Sequence, residues 1–304
     1  MNGSRRGFLQ GVCAGLGVTL LDHTISPNDD LESIFKDIRQ NLLEMINEER
    51  DVEKVPRVKL DDFASEVATK HAVDLATNEF ISHWGTDGLK PYHRYSVAGG
   101  THATEENVSA IDGTWSLKAK DLKQDTAYLH VRLYQEKPPY DGHRRTILRP
   151  QHTHVGIGLA VEKLRLRMVE LFVAKYVEVQ PIRGEAKPGA ELSFSGKIMR
   201  QDYSLHHVEI YYEPLPTRPD LNWLRASGSY ALPKESKVLR PKVPPPQVYV
   251  DGIPGVVEIA KDGSFKTPVE LYKKVPGIYT VVAWVKGSVT PRAFPATAVC
   301  IKAQ

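Results

Sequence analysis

The chain has 304 residues, 41% of them hydrophobic, and its formal net charge at pH 7 is only +3. This hydrophobic content is enough for a substantial buried core, and the length predicts two domains. The small net charge excludes the strongly basic surface of a dedicated nucleic-acid-binding protein, so we expect no nucleic-acid partner.

Residues 1–27 have the composition of an export signal. Arg5 and Arg6 precede a short apolar run at 7–21. A charged segment before a short apolar one is typical of a signal peptide, and paired arginines favour the twin-arginine route. The apolar run is too short and too rich in glycine for a membrane span. We therefore expect an exported protein, periplasmic or extracellular, with no transmembrane span in its mature chain. The alternative is a disordered or buried N-terminal segment.

For residues 28–180 we predict an α+β domain built in layers. Four stretches have helical patterns: 31–50, 61–78, 121–135 and 142–148. Two apolar, β-branched runs at 154–161 and 168–179 then predict strands joined by a short polar turn. Helices that precede a terminal hairpin indicate a sheet covered by helices.

For residues 181–304 we predict an all-β domain. Short strand patterns occur at 192–198, 207–212, 247–250, 256–259, 264–267, 279–285 and 297–301. Asp-Gly pairs at 251–252 and 262–263 are typical of turns, and no helical stripe is found. The proline-rich and lysine-rich stretch 233–247 predicts an extended surface loop. This number of short strands favours an immunoglobulin-like β-sandwich.

Polar motifs that could form a site are concentrated between Ile81 and Leu148. His83 follows the second predicted helix, Glu106 follows a glycine-containing loop, and Glu136 and His143 flank a pair of prolines. Residues at such junctions are held by the scaffold and remain open to solvent, as functional residues often are. Two neutral imidazoles with nearby carboxylates predict a zinc site with open positions. The same group could instead act without a metal, with a glutamate that orients or deprotonates a histidine.

Four short motifs occur in a fixed order: S-H-x-x-x-D-G at 82–88, E-N-V at 106–108, G-H-R-x-x-I-L at 142–148 and V-G-I-G at 155–158. In this order they resemble the bacterial branch of the CAP superfamily, which includes cysteine-rich secretory proteins, antigen 5 and plant pathogenesis-related proteins. The resemblance covers about residues 38–180 and leaves the β-rich half unmatched.

The resemblance implies an α-β-α sandwich with a central cleft that holds two histidines and two glutamates. Carried over by motif, these are His83, His143, Glu106 and Glu136. Glu105 stands where the family usually has glycine, which would add a carboxylate to the cleft or rearrange its loop. Family members are associated with zinc or other divalent ions, with sterols and lipids, and with protein partners.

We therefore expect an exported binding module that acts in the cell envelope or outside the cell. Its cleft is expected to bind zinc or another divalent metal through His83, His143, Glu106 and Glu136, and its ligand to be a lipid, a glycan or a protein. One alternative is a metal-dependent hydrolase in which Glu106 or Glu136 is the catalytic residue that activates water. Another is a structural or adhesion protein that acts through the β-sandwich.

The sequence also lacks the motifs of several common enzyme classes. It contains no H-E-x-x-H, no G-x-S-x-G, no C-x-x-C and no glycine-rich phosphate loop. The standard metalloprotease, serine hydrolase, thiol redox and nucleotide-binding interpretations therefore have no support.

Overall fold

The computed structural model describes residues 31–113, 118–288 and 292–304. The predicted export signal at 1–27 lies outside these described residues. Within them, no helix combines the length and the apolar character that a membrane crossing requires.

The described residues form six helices and fourteen strands. The helices are α1 (Leu31–Val52), α2 (Asp62–Thr77), α3 (Pro91–Val97), α4 (Ala119–Tyr134), α5 (Gly142–Ile147) and α6 (Leu221–Ala226). The strands of the first domain are β1 (Lys59–Leu60), β2 (Ala103–Asp112), β3 (His154–Glu162) and β4 (Arg165–Ala174). Those that follow are β5 (Val177–Val179), β6 (Glu185–Ala186), β7 (Glu191–Ile198), β8 (Tyr203–Glu213), β9 (Ser236–Leu239), β10 (Glu258–Ile259), β11 (Ser264–Glu270), β12 (Gly277–Gly287), β13 (Phe294–Pro295) and β14 (Val299–Ala303).

The first domain is a three-layer α-β-α sandwich, as the sequence predicts. Its sheet has the order β1-β3-β4-β2, with β1 parallel to β3 and the other pairs antiparallel. Helices α1, α4 and α5 pack their apolar stripes on one face of the sheet. Helices α2 and α3 pack on the other face. The alternation of side chains along β3 and β4 supplies both faces with core residues.

Two glycines of β3 bring α2 close to the sheet. A Cβ atom added at Gly156 would lie 2.2 Å from the carbonyl carbon of Ala64. One added at Gly158 would lie 2.1 Å from that of Ala68. Neither distance is compatible with a real side chain, so the V-G-I-G motif serves helix–sheet packing.

In the first domain, the structure adds three elements that the sequence patterns do not predict: β1, α3 and β2. Glu106 accordingly lies within a strand and not at a loop junction. Strand β2 is hard to recognise because its polar residues, such as Glu106 and Asn107, are buried by specific partners. The strand predicted over 168–179 is also divided, since β4 ends at Ala174 and β5 pairs with β7 of the next domain.

The second domain is a sandwich of two sheets around one hydrophobic core. One sheet has the order β10-β11-β7-β5, and the other the order β6-β14-β12-β8-β9 with β13 beside β12. The predicted strand at 247–250 is wrong: none of these residues is in a strand, and the side chain of Val248 is 82% exposed. Prolines 244–246 remove backbone donors just before it, which disfavours a strand. The immunoglobulin-like assignment stays a prediction.

Two further expectations for this domain need correction. Residues 236–239 form β9, which pairs with β8 inside the predicted loop 233–247. Helix α6 interrupts the expected all-β pattern. Because α6 has only 6 residues, it offers too few positions for a helical stripe to be recognised.

The two domains share an extensive contact. Ala103 N–H donates to the Ala296 carbonyl at 3.1 Å, and a β-bridge joins His102 to Thr297. Residues 214–232, which we call the strap, leave β8 and return across the first domain. Within the strap, the α6 residue Leu224 is fully buried in the core between α2 and the first sheet. The strap therefore belongs to the second domain by sequence and to the first by packing.

Candidate functional site

A cavity of about 770 Å³ opens where the two domains meet. All four residues predicted for the site line it: His83, Glu106, Glu136 and His143. The strap lines it through residues 227–232, and the β-sandwich contributes further apolar residues at 282, 295 and 298. The predicted residues thus come together in one cleft, but the cleft belongs to both domains.

Glu106 is the buried centre of one half of the cleft. His83 Nδ1 lies 3.0 Å from its Oε1, and Arg94 Nη2 donates to its Oε2 at 2.6 Å. Burial alone would raise the pKa of Glu106, but the charge of Arg94, with support from His71 and His83, lowers it to about 2. Because the ionised carboxylate only accepts hydrogen bonds, His83 must donate from Nδ1.

Arg94 also holds the loop that carries His83. Its Nη1 donates to the carbonyls of His83 at 2.8 Å and of Leu89 at 2.7 Å. One side chain on α3 thus neutralises Glu106 and shapes the S-H-x-x-x-D-G segment. Sequence reasoning misses Arg94, because neither α3 nor its position in the cleft could be predicted from a local pattern.

His71 lies beneath this group and has a structural role. Its Nε2 lies 2.9 Å from the Ser82 carbonyl and 3.9 Å from Glu106 Oε1. Burial lowers the pKa of His71 to about 3, so the ring is neutral at physiological pH.

Glu136 and His143 form the second histidine–carboxylate pair. His143 Nδ1 lies 2.5 Å from Glu136 Oε1, and the His143 backbone N–H donates to Oε2 at 3.0 Å. The side chain of His143 is 34% exposed and that of Glu136 is 24% exposed, so this pair is more open to solvent than the first. Both oxygens of Glu136 are therefore engaged by the histidine that it orients.

A buried network that sequence reasoning misses supports the strand under the cleft. His130 of α4 lies between Glu170 at 2.6 Å and Glu49 at 2.9 Å. Burial would lower the pKa of His130, but the two carboxylates raise it to about 10. Asn107 joins this network to the cleft, because its amide donates to Glu170 at 3.2 Å and to the His143 carbonyl at 3.3 Å.

Glu105 lines the cavity near the His143 pair. Arg149 Nε donates to its Oε2 at 2.8 Å, and His152 Nε2 lies 3.7 Å from the same oxygen. Burial raises the pKa of Glu105, although the charge of Arg149 opposes the shift. Glu105 thus adds a carboxylate to the cleft, one of the two effects expected from the sequence.

The arrangement has a clear consequence for metal binding. Nδ1 of His83 and Nδ1 of His143 each face their own carboxylate, and no group in the described segments bonds Nε2 of either ring. Over those segments, no cluster of three or more histidine, cysteine, aspartate or glutamate residues is placed to hold a metal ion. The donors that remain for a cation are therefore the two Nε2 atoms, with Glu106 and Glu136 behind them. In metal sites of other proteins, a carboxylate commonly orients a histidine ligand in the same way.

Comparisons with known proteins agree with the fold of the first domain. Residues 43–176 match the model of the cysteine-rich secretory protein family, CAP. Cilia- and flagella-associated protein 184 of Tetrahymena thermophila is 22% identical over 179 residues, which is 59% of this chain and 21% of that protein. The chain therefore spans only about a fifth of the length of this relative.

Two solved structures are similar to part of the chain. An extracellular protein containing an SCP domain from Bacillus anthracis is 22% identical, with a TM-score of 0.34 over 45% of this chain and 40% of that one. An outer surface protein from Borrelia burgdorferi is 18% identical, with a TM-score of 0.38 over 50% of this chain and 96% of that one. The family match includes His83, Glu106, Glu136 and His143. We conclude that residues 43–176 form a CAP domain of the cysteine-rich secretory protein family.

Proposed function

We propose that this protein is an exported binding module whose ligand occupies the cleft between the CAP domain and the β-sandwich. One observation carries the proposal. Two histidines line the same cavity, each with Nδ1 held by its own carboxylate and with Nε2 available. Such prior orientation supports binding, because little conformational freedom is lost when the ligand arrives.

A divalent cation such as zinc is the proposed occupant of these donors. We propose that Nε2 of His83 and Nε2 of His143 hold it and that Glu106 and Glu136 orient the two rings. Zinc accepts neutral imidazole nitrogens and commonly keeps open positions for water or for a ligand atom. When bound, it would supply a positive centre that attracts an oxygen atom of the ligand. The lipid, glycan or protein nature of that ligand stays a prediction.

The geometry favours binding over hydrolysis. A hydrolase would need a carboxylate free to take a proton from water. The Glu106 side chain is 1% exposed, and its two oxygens face His83 and Arg94. Its lowered pKa also makes it a weak base. Glu136 uses both oxygens on His143.

The shared cavity also argues against the structural or adhesion alternative, in which the cleft has no role and the β-sandwich acts independently. Residues 227–232 of the strap and Val282 of the sandwich line the same space as His83. A ligand in the cleft would thus touch both domains, so the β-sandwich is proposed as a part of the binding site.

Zinc titration calorimetry on the full chain tests the proposal. Wild type should bind zinc stoichiometrically, and the double variant His83→Ala/His143→Ala should not bind. Glu106→Gln and Glu136→Gln should each weaken the affinity about 10- to 100-fold, as removal of an orienting carboxylate usually does. His206→Ala, which removes an exposed imidazole of the second domain, is the matched control and should bind like wild type.

Two results would contradict the proposed site. The first is the absence of zinc binding by a wild-type protein whose circular dichroism shows an intact fold. The second is equal affinity in wild type and the double variant, which would place the metal elsewhere.

A further inference from the structure

Tyr230 of the strap packs directly on the predicted site. Its ring lies 4.8 Å from the His83 ring, at an interplanar angle of 60°. Its hydroxyl oxygen accepts the Glu106 backbone N–H at 2.9 Å. A residue outside the CAP domain thus contacts both members of the first histidine–carboxylate pair.

Contacts on the N-terminal side of Tyr230 hold the strap against the first domain. Leu224 is fully buried in the first domain, and Arg225 donates to the Glu79 carbonyl at 3.1 and 3.2 Å. The hydroxyls of Ser227 and Ser82 lie 2.5 Å apart, one residue before His83. These contacts restrict the backbone that leads into Tyr230.

Contacts on the C-terminal side of Tyr230, and at the point where the strap begins, also hold it against the first domain. Lys90 donates to the Ala231 carbonyl at 3.3 Å and forms an ion pair with Glu213, where the strap leaves β8. Tyr92 donates to the same carboxylate at 2.7 Å. Burial would raise the pKa of Glu213, but His93 at 3.1 Å and the hydrogen bonds from Lys90 and Tyr92 lower it to about 2, so the Glu213 carboxylate stays charged at neutral pH.

The hydroxyl hydrogen of Tyr230 remains available. The oxygen accepts from Glu106 N–H, and no group in the described ranges accepts the O–H hydrogen. Burial, with the nearby Glu106 and Glu105, raises the pKa of Tyr230, so the phenol keeps its hydrogen at physiological pH. Tyr230 lines the cavity, where an acceptor atom of a ligand would satisfy this donor.

We propose that the ligand site is completed by the second domain, with Tyr230 as a positioning residue that holds and covers the His83 ring. This inference rests on the proposed function, since it concerns the same cleft. It identifies the occupant as a molecule that carries a hydrogen-bond acceptor beside His83 and that is enclosed by both domains. The CAP domain alone would present His83 uncovered.

Chemical modification of histidine tests this role without any need for zinc. Diethyl pyrocarbonate reacts with unprotonated imidazole nitrogen, and mass spectrometry of peptides gives the rate at each histidine. Tyr230→Ala should raise the rate at His83 several-fold and leave His143 unchanged. Tyr230→Phe keeps the ring and should restore protection. Tyr140→Ala removes an 85% exposed tyrosine from the same cavity and should not change the rate at His83.

His71 reports on general loosening, because its side chain is only 1% exposed. A higher modification rate at His83 without a higher rate at His71 supports a local role for Tyr230. An unchanged rate at His83 in Tyr230→Ala would overturn the inference, as would parallel rises at His71 and His83 or failure of Tyr230→Phe to protect.

Zinc titration of the same samples separates the two proposals. If wild type binds no zinc while His83 reactivity follows the expected pattern, the metal site fails and the role of Tyr230 stands. If wild type binds zinc and Tyr230→Ala leaves His83 reactivity unchanged, the metal site stands and the role of Tyr230 fails.

Discussion

Glu106 and Asn107 are neighbours on β2, and each supports a different histidine of the cleft. Glu106 faces His83 Nδ1 at 3.0 Å, whereas the Asn107 amide donates to the His143 carbonyl at 3.3 Å. Successive side chains of a strand point to opposite faces, so a single dipeptide can reach partners on both sides of the sheet. The E-N-V motif therefore links the two histidine–carboxylate pairs through one strand.

Glu106→Gln should lower the free energy of unfolding at pH 7 by about 3 kcal/mol, because Arg94 would lose its buried partner. The Arg94 side chain is only 11% exposed, so solvent compensates little. Urea unfolding measures the change. The control Glu66→Gln removes an exposed i,i+4 partner of Lys70 and should change stability by less than about 1 kcal/mol.

Acid should remove the contribution of Glu106 to the free energy of unfolding. Its pKa is about 2 in the folded protein and about 4.5 when unfolded, so the stabilisation is present above pH 4.5. It should be lost as the pH falls from 4.5 towards 2. Urea unfolding across this range should bring wild type and Glu106→Gln together, and a constant difference down to pH 2 would contradict this assignment.

His130→Gln should destabilise the protein near pH 7 by about 3–5 kcal/mol, because Glu49 and Glu170 would lose the cation between them. The pKa of His130 is raised to about 10, so its contribution is complete below pH 6.5 and declines as the pH rises to 10. Chemical unfolding at pH 6, 8 and 10 should show the difference from wild type shrinking. A difference that grows with pH would disprove the charged state proposed for His130.

Gly158→Ala should lower stability by about 1–3 kcal/mol or more, because the new methyl group would collide with the backbone of α2. Gly184→Ala is the matched control, since its Cβ would meet nothing within 4 Å. Thermal unfolding compares the two. Equal melting temperatures for both variants would show that α2 can move away from the sheet without cost.

Leu224→Ala should cost about 2–5 kcal/mol, the usual range for truncation of a buried leucine. Its side chain is fully buried in the first domain, although it belongs to the strap. Leu221→Ala, three residues earlier and 40% exposed, should cost much less. If both variants unfold at the same urea concentration as wild type, the strap is not anchored by α6.

Local patterns were sufficient for much of the first domain. The apolar stripes of α1 and α2 and the two strands of the V-G-I-G hairpin follow from periodicity, which acts within a few residues. The ordered motifs also placed His83, Glu106, Glu136 and His143 in one cleft, which the structure brings together. Their roles in binding a metal stay a prediction.

Only the tertiary structure decided how those side chains are used. Arg94 on the unpredicted α3 forms an ion pair with Glu106, and Tyr230, which is 124 residues from Glu106 in the chain, covers the His83 ring. Neither contact leaves a periodic or compositional trace, because each depends on where distant segments meet and on the burial that lowers the local dielectric. The sequence thus determined the layers of the CAP domain and the residues of its cleft. The packing of the two domains determined which atoms of that cleft remain available to a ligand.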